Sequence, residues 1–256
     1  MSDILVTIAD YARERVAAAK KVISAEAMRD AAVRLAALDT DKHFSFEKAL
    51  RKDGMSFILE CKKASPSKGV IKEDFNYLEI AKNYEKAGAS AISVLTEPKW
   101  FLGDIRYLKE ISEAVSIPCL RKDFTVDEYM IYEAKVNGAS AVLLICSILT
   151  KEQLREYLKI CEQLGLSALV EAHDRREVED AIAAGARIIG VNNRNLRDFS
   201  VDPLNCLRLR EYVPEGVTFV AESGIQTKDD IARLSGNGVD AVLIGEAAMK
   251  GLITVS

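Results

Sequence analysis

The sequence has little with which to build a metal centre or a disulfide framework. Two histidines, His43 and His173, and five cysteines are all it offers in 256 residues. Cys61, Cys119, Cys146, Cys161 and Cys206 are odd in number, scattered, and mostly set in apolar strand or helix patterns. Paired Cys spacings are missing, so a structural zinc site is not expected. Such cysteines are expected to be buried free thiols, as in a reducing cytoplasm. There is no low-complexity tract, and no apolar run reaches the roughly 18 residues that a membrane span needs. The opening "MSDILVTIADYARERV" lacks the basic start, apolar run and small-residue cleavage site of a secretory leader. Charge of one sign is also missing. The net charge is −4, with acids and bases interspersed, so neither a nucleic-acid stripe nor a polybasic membrane patch is present. A cytoplasmic chain that engages neither nucleic acid nor membrane is the expectation.

What is there in quantity is hydrophobic surface, 49% of residues, enough for a sizeable core. One phrase organises it. "KAGASAISVL" (86–95) and "VNGASAVLLI" (136–145) are near copies, while "AAGARIIGV" (183–191), "QLGLSALVE" (163–171) and "GNGVDAVLIG" (236–245) are looser variants. Each places a glycine where a helix closes, then a small or polar residue, then an apolar run. Glycine can take the left-handed conformation that caps a helix. The apolar run suits a strand buried on both faces, as in a parallel sheet.

Eight strands are predicted, at 55–61, 91–95, 117–121, 141–145, 167–171, 187–192, 218–222 and 241–244. Between them apolar residues recur at a helical period. Helices are predicted to start at Phe75, Asp104, Val126 (after Thr125), Lys151 (capped by Thr150), Arg175 (capped by Asp174), Pro203 and Lys228 (behind Thr227). Eight βα repeats in about 200 residues point to a (β/α)8 TIM barrel. An open doubly wound sheet is the alternative, but "KKASPSKG" follows the first strand where that fold often has a Gly-rich turn. Residues 1–54 read as a helical extension of two or three helices that closes one end of the barrel, and 55–256 as the barrel itself. The tail "GEAAMKGLITVS" leaves room only for a short last helix.

The catalytic face of such a barrel lies at the carboxyl ends of its strands. Here strand one ends Glu60-Cys61-Lys62, strand three carries Lys122, strand five ends at Glu171, strand six at Asn192 with Arg194 beyond, and strand seven at Glu222-Ser223-Gly224. One such side chain alone would be a solvated group leaving the core. Several strands doing so at one face imply a mixed-charge site fit for proton transfer. By strand alternation Glu60 and Lys62 face the interior while Cys61 and Lys63 face away. Cys61 therefore reads as packing. His173, just past Glu171, reads as a loop residue, and Lys68 as either solvated or a loop contact. "AESGI" and "LIGEA" set glycine after strands seven and eight, where backbone N–H groups can approach a phosphate. Trp100 and Phe101 are either rim packing or a platform for an aromatic ring.

Seven stretches, "ILECKKASPSKG", "VLTEPKWFLGD", "LRKDF", "ALVEAHD", "IGVNNRNL", "VAESGI" and "VLIGEAAM", together resemble the indole-3-glycerol-phosphate synthases of tryptophan biosynthesis. The resemblance covers essentially the whole chain. It implies a carboxy-lyase acting on a sugar phosphate that bears an anthranilate ring, 1-(2-carboxyphenylamino)-1-deoxyribulose 5-phosphate. The indole ring closes with loss of CO₂ and water, without metal or organic cofactor, and the enzyme is expected to be a monomer. It further implies Lys122 as general acid on the ketone oxygen, with a pKa expected to be lowered by neighbouring cations and burial. Lys62 would meet the substrate carboxylate or phosphate, and Glu171 would do acid–base work in dehydration. Glu60 and Asn192 would orient the charged intermediate, while Glu222 and Ser223 line the pocket. Gly224, Gly245 and Glu246 would hold the phosphate with Arg194 nearby. Phe101, Phe124 and Leu243 would flank the anthranilate ring, and Ser65 would open a loop that folds over it. Two rivals remain, a phosphoribosylanthranilate isomerase and a catalytically silent phosphate-binding barrel.

Overall fold

The apolar runs become the staves of a closed barrel. A computed structural model describes residues 4–195 and 199–251. The end of the tail beyond Gly251, and Leu196 of the "IGVNNRNL" stretch, lie outside the described residues. The barrel strands are β1 (Ser56–Cys61), β2 (Ala91–Leu95), β3 (Cys119–Lys122), β4 (Ala141–Ile145), β5 (Ser167–Ala172), β6 (Ile188–Asn192), β7 (Thr218–Glu222) and β8 (Ala241–Ile244). All neighbours are parallel, and β1 pairs with both β2 and β8 to close the ring. This is a (β/α)8 barrel, as the repeats imply. Strand parity sends Ile58, Leu120, Leu169 and Val220 inward as packed layers and turns Cys61, Val94 and Cys119 toward the helices, all of them buried.

Helices follow the strands: α4 (Tyr77–Lys86), α5 (Ile105–Ala114), α6 (Glu128–Val136), α7 (Lys151–Gln163), α8 (Arg175–Ala184), α9 (Asn205–Arg210), α10 (Lys228–Ser235) and the one-turn α11 (Glu246–Met249). Thr150 and Thr227 each form a full capping box, and Asp174 caps α8. Four starts differ from the sequence pattern: α4 begins at Tyr77 because the Asn76 side chain accepts the Glu79 N–H, and α5 at Ile105 because Asp104 is its cap. α6 begins at Glu128 because the Asp127 carboxylate accepts the Tyr129 N–H, which leaves Thr125 and Val126 buried ahead of it. α9 begins at Asn205 because Asp202 heads a turn through Pro203, accepting N–H groups from Leu204 and Asn205. A short antiparallel hairpin, residues 64–65 with 69–70, also appears within the "ASPSKGV" loop.

The extension is three helices, α1 (Ile4–Val22), α2 (Ala25–Leu38) and α3 (Ser45–Leu50), and it serves both ends of the barrel rather than one. α3 plugs the amino-terminal end. Its Phe46 and Leu50 are fully buried, Glu47 N–H bonds to Ser167 Oγ where β5 begins, and Ser56 Oγ bonds to Leu50 O where β1 begins. α1 crosses the opposite mouth, where Ile4, Leu5 and Ile8 line the main cavity. Arg15 fixes it there by donating two hydrogen bonds, of 2.7 and 3.1 Å, to the buried Asp123 carboxylate just past β3. Removing the Phe46 ring should cost about 3–5 kcal/mol, the usual cost of a Phe-to-Ala cavity. Phe46→Ala is expected to lower the unfolding free energy by that amount, read from urea titration as a lower midpoint at unchanged slope. A loss below about 1 kcal/mol would show that the plug is not part of the barrel core.

Candidate active site

The strand register brings the ionisable ends level. Leu95 lies opposite Lys122, Asn192 opposite Glu222, Glu222 opposite Leu243, and Ile145 opposite Glu171. They surround a cavity of about 680 Å³ at the carboxyl ends of the strands. Glu60, Lys62, Lys122, Glu171, Asn192 and Glu222 all line it. So do Phe101, Phe124, Arg194, Ser223 and Leu243, together with Gly224, Gly245, Glu246 and Ser65. The structure thus gathers around one space every residue to which the resemblance gives a role, while Trp100, His173, Lys68 and Cys61 do not line it.

At the closed end, Glu60 Oε1 accepts a 2.7 Å bond from Lys62 Nζ, and Oε2 accepts one of 3.1 Å from Ser93 Oγ. Lys122 Nζ stands 3.4 Å from Glu171 Oε2 and 3.6 Å from Glu222 Oε2. Asn192 Nδ2 donates to Glu171 Oε1 at 3.3 Å. Burial alone would discharge these groups, so their neighbours decide which stay ionised. Burial pulls the Lys122 pKa down, but Glu171, Glu222 and Glu60 pull harder, and the net shift is upward. This reverses the expectation of a depressed lysine, because its immediate neighbours are carboxylates rather than cations. Glu60 and Glu171 are pushed up by burial, yet the lysines hold both below the usual carboxylate range.

Glu222 differs. Burial and the Glu171 charge push it up to about 8, outweighing Lys122. Its Oε1 is buried and has no hydrogen-bond partner among the described residues. Burial and the missing partner thus favour the neutral acid at Glu222, beside a Glu171 whose neighbours favour the carboxylate. Opposite protonation states in adjacent carboxyls are an acid–base arrangement. Two glycines make room for the cluster. A Cβ at Gly190 would collide with Glu222 Oε1, and one at Gly245 would crowd Glu60 Oε1 and Lys62 Nζ.

At the rim, Ser223 and Gly224 both have positive φ, 66° and 75°. For a serine that is uncommon backbone, held here by Asn193 Nδ2 bonding to Ser223 O at 3.1 Å. The Glu246 carboxylate pairs with Lys250, so only its backbone N–H could serve an anion. Phe101 and Phe124 face each other at 6.1 Å across one wall. Trp100 parts from them and packs edge-on against Tyr11 of α1, while Lys99 stands over both of those rings.

Several supporting residues escaped the sequence reading. Glu97, fully buried, accepts the N–H groups of Lys99, Trp100 and Phe101 and so shapes the loop that presents Phe101. Arg121 spans Thr96, Glu133 and the Met130 carbonyl directly behind Lys122. Asn193 ties β6 to β7 and α9. The one available signal was a charged or amide residue beside each inward-facing one, at a position where parity demands a buried partner. Among the described residues no cluster of three His, Cys, Asp or Glu side chains is spaced to hold a metal ion.

Comparison with known proteins agrees with this geometry. The sequence pattern of the family described as indole-3-glycerol phosphate synthase matches residues 5–252. A protein of that name from Ruminiclostridium cellulolyticum is 55% identical over 247 residues, 96% of this chain and 94% of its own. One from Endomicrobium trichonymphae is 60% identical over 220 residues, covering 86% and 85%. A solved N-acetylmannosamine-6-phosphate 2-epimerase from Clostridium perfringens superposes with a TM-score of 0.59 at 15% identity, over 75% of this chain and 87% of its own, and shares the fold alone. With a match that runs through both helical ends of the extension and every polar strand end of the cavity, the chain belongs to the indole-3-glycerol phosphate synthase family.

Proposed function

We propose that this chain closes the indole ring of 1-(2-carboxyphenylamino)-1-deoxyribulose 5-phosphate, releasing CO₂ and water, and that the strand-end cluster carries the proton transfers. The observation that carries the reading is the Lys122 ammonium at the closed end of the cavity, within 3.6 Å of two buried carboxyl groups whose pKa values are shifted in opposite directions. Joining a ring carbon to the ketone carbon turns the ketone oxygen into an alkoxide. An alkoxide is a stronger base than an amine, so it takes a proton even from a lysine whose pKa is raised. Loss of the carboxylate as CO₂ restores the benzene ring without covalent help. Dehydration then needs an acid at the departing hydroxyl and a base at the ring. Neutral Glu222 suits the first role and ionised Glu171 the second, with Asn192 and Glu60 holding charge around them.

The rest of the cavity fits the rest of that substrate. Phe101, Phe124 and Leu243 supply an apolar wall for the anthranilate ring. Backbone at Gly224, Gly245 and Glu246, with Lys62 and Arg194, supplies N–H groups and positive charge for the phosphate. Ser65 sits in the small hairpin at the mouth. The isomerase alternative needs a cysteine at the reacting centre. Cys61 is instead buried toward the helix layer, and burial drives its thiol pKa far up.

Three measurements test the roles. Lys122→Ala should lower kcat by about 10²-fold or more while the folded structure persists, read as indole formation by absorbance or fluorescence. Turnover near that of the unaltered enzyme would remove Lys122 from the mechanism. Lys62→Ala should raise KM as well as lower kcat, whereas unchanged substrate affinity would show that Lys62 meets no anionic group. Glu222 should be protonated below about pH 8 and lose its proton above it. Lys122, shifted upward, stays charged through that range. An alkaline limb in kcat/KM near pH 8 is expected, and Glu222→Gln should leave a residual rate that is flat there. Persistence of the limb in that variant would assign it to another group.

A further inference from the structure

His173 lies two residues past the end-facing Glu171, where β5 runs into α8, and the proposed chemistry makes no use of it. Its ring is not free, however. Nδ1–H donates to Glu177 Oε2 at 3.1 Å, and the same oxygen accepts the His173 backbone N–H at 2.7 Å. Asn205 of α9 fixes the peptide by donating from Nδ2 to His173 O at 3.1 Å. With its backbone and Nδ1 both held, the ring aims Nε2 at Glu171 Oε1, 3.4 Å away. Nε2 is buried and has no other partner among the described residues.

We propose that His173 is a positioning residue for Glu171, held by Glu177, so that Glu177–His173–Glu171 forms a charge-and-orientation chain ending at the base. The inference rests on the reading of Glu171 as the base of dehydration. A base oriented by a histidine that is itself oriented by a carboxylate is the general logic of a catalytic triad, run here toward a glutamate. The geometry assigns each link. Glu177, on the first turn of α8, fixes the ring and favours the imidazolium. The imidazolium fixes one oxygen of Glu171 and favours its carboxylate form. The other oxygen remains directed at Lys122.

The charged and titratable groups around the ring are Glu171 on β5, Glu177 on α8 and Glu222 on β7. Burial lowers the ring's pKa, but the Glu177 hydrogen bond and the Glu171 and Glu177 charges raise it by more, so the net shift is upward. Around Glu171 itself stand Lys122, His173 and Asn192. Of these, His173 is the one cation not already paired with a second member of the proton-transfer cluster. Removing its charge takes away an attraction that holds Glu171 ionised, so the Glu171 pKa must rise. An acid limb that reports Glu171 then moves to higher pH.

The test compares His173→Ala, His173→Gln, Glu177→Gln and Glu171→Gln in the full-length enzyme, following kcat, KM and the pH profile of indole formation. His173→Ala should lower kcat by about tenfold or more with KM nearly unchanged, and move the acid limb up by about one pH unit. Glu177→Gln, remote from the substrate, should give a smaller shift in the same direction. His173→Gln, which keeps a hydrogen-bond donor but no charge, should recover part of kcat and none of the limb shift. If Glu171→Gln abolishes turnover while the His173 and Glu177 variants keep the original kcat and limb, the positioning role is overturned and the base assignment stands. If Glu171→Gln itself keeps turnover, both are overturned. Should His173→Ala fail to fold, Glu177→Gln decides alone, and an unshifted limb there overturns the proposal.

Discussion

The barrel mouth depends on keeping one ammonium charged in a place where burial would neutralise it. Lys122 stays ionised because Glu171 and Glu60 stand beside it, and Glu60 and Glu171 stay ionised because Lys122 and Lys62 are there. Glu222 has the weakest hold on a cation: its outer oxygen finds no donor among the described residues, and burial with the Glu171 charge outweighs Lys122, which favours its neutral form. Truncating one member of such a buried set leaves an unpaired charge, which is why these groups are interdependent rather than individually stabilising. The proposed chemistry uses this same imbalance, since a neutral acid beside an ionised base is what dehydration requires.

Holding five charged or titratable side chains within ion-pair distance of one another takes scaffolding that the cavity does not display. The parallel register sets their heights, and Gly190 and Gly245 leave the volume that Glu222 and the Glu60–Lys62 pair occupy. Behind β3 a second set of charges faces the helices. Arg121, Asp123, Thr96 and Arg15 bond to one another, and this set locks α1 to the strand that carries Lys122. Lys20 repeats the link further along α1 by pairing with Asp127, the cap of α6. The N-terminal extension is thereby coupled to the position of the reactive lysine. It is not a detached appendage.

The same extension shapes the dielectric of the site. α3 closes the amino-terminal end with Phe46 and Leu50, so the strands' inward layers stay dry. α1 narrows the other end with Ile4, Leu5 and Ile8. Electrostatic attraction strengthens as water is excluded, which deepens both the lysine's upward shift and the acid–base split between Glu171 and Glu222.

Much of this was legible in one dimension. Glycine followed by a small residue and an apolar run marked five helix-to-strand junctions, and those glycines do adopt positive φ, as at Gly88 and Gly138. Alternation placed Glu60 and Lys62 inward and Cys61 outward, because side-chain direction along a strand has a period fixed by the backbone. Caps at Thr150, Asp174 and Thr227 were local signals and held. The sequence thus determined the strands, their parity and which residues reach the mouth, all properties set by neighbours a few positions apart. It did not determine the charge states. The Lys122 shift reverses the sequence-based expectation because its sign is decided by Glu171 and Glu60, about 50 and 60 residues distant in the chain and brought near only by barrel closure. The place of α1 across the mouth, the turn of Trp100 away from the cavity, and the pairing of His173 with Glu177 and Glu171 were likewise decided by tertiary structure, since each depends on where a distant element comes to rest.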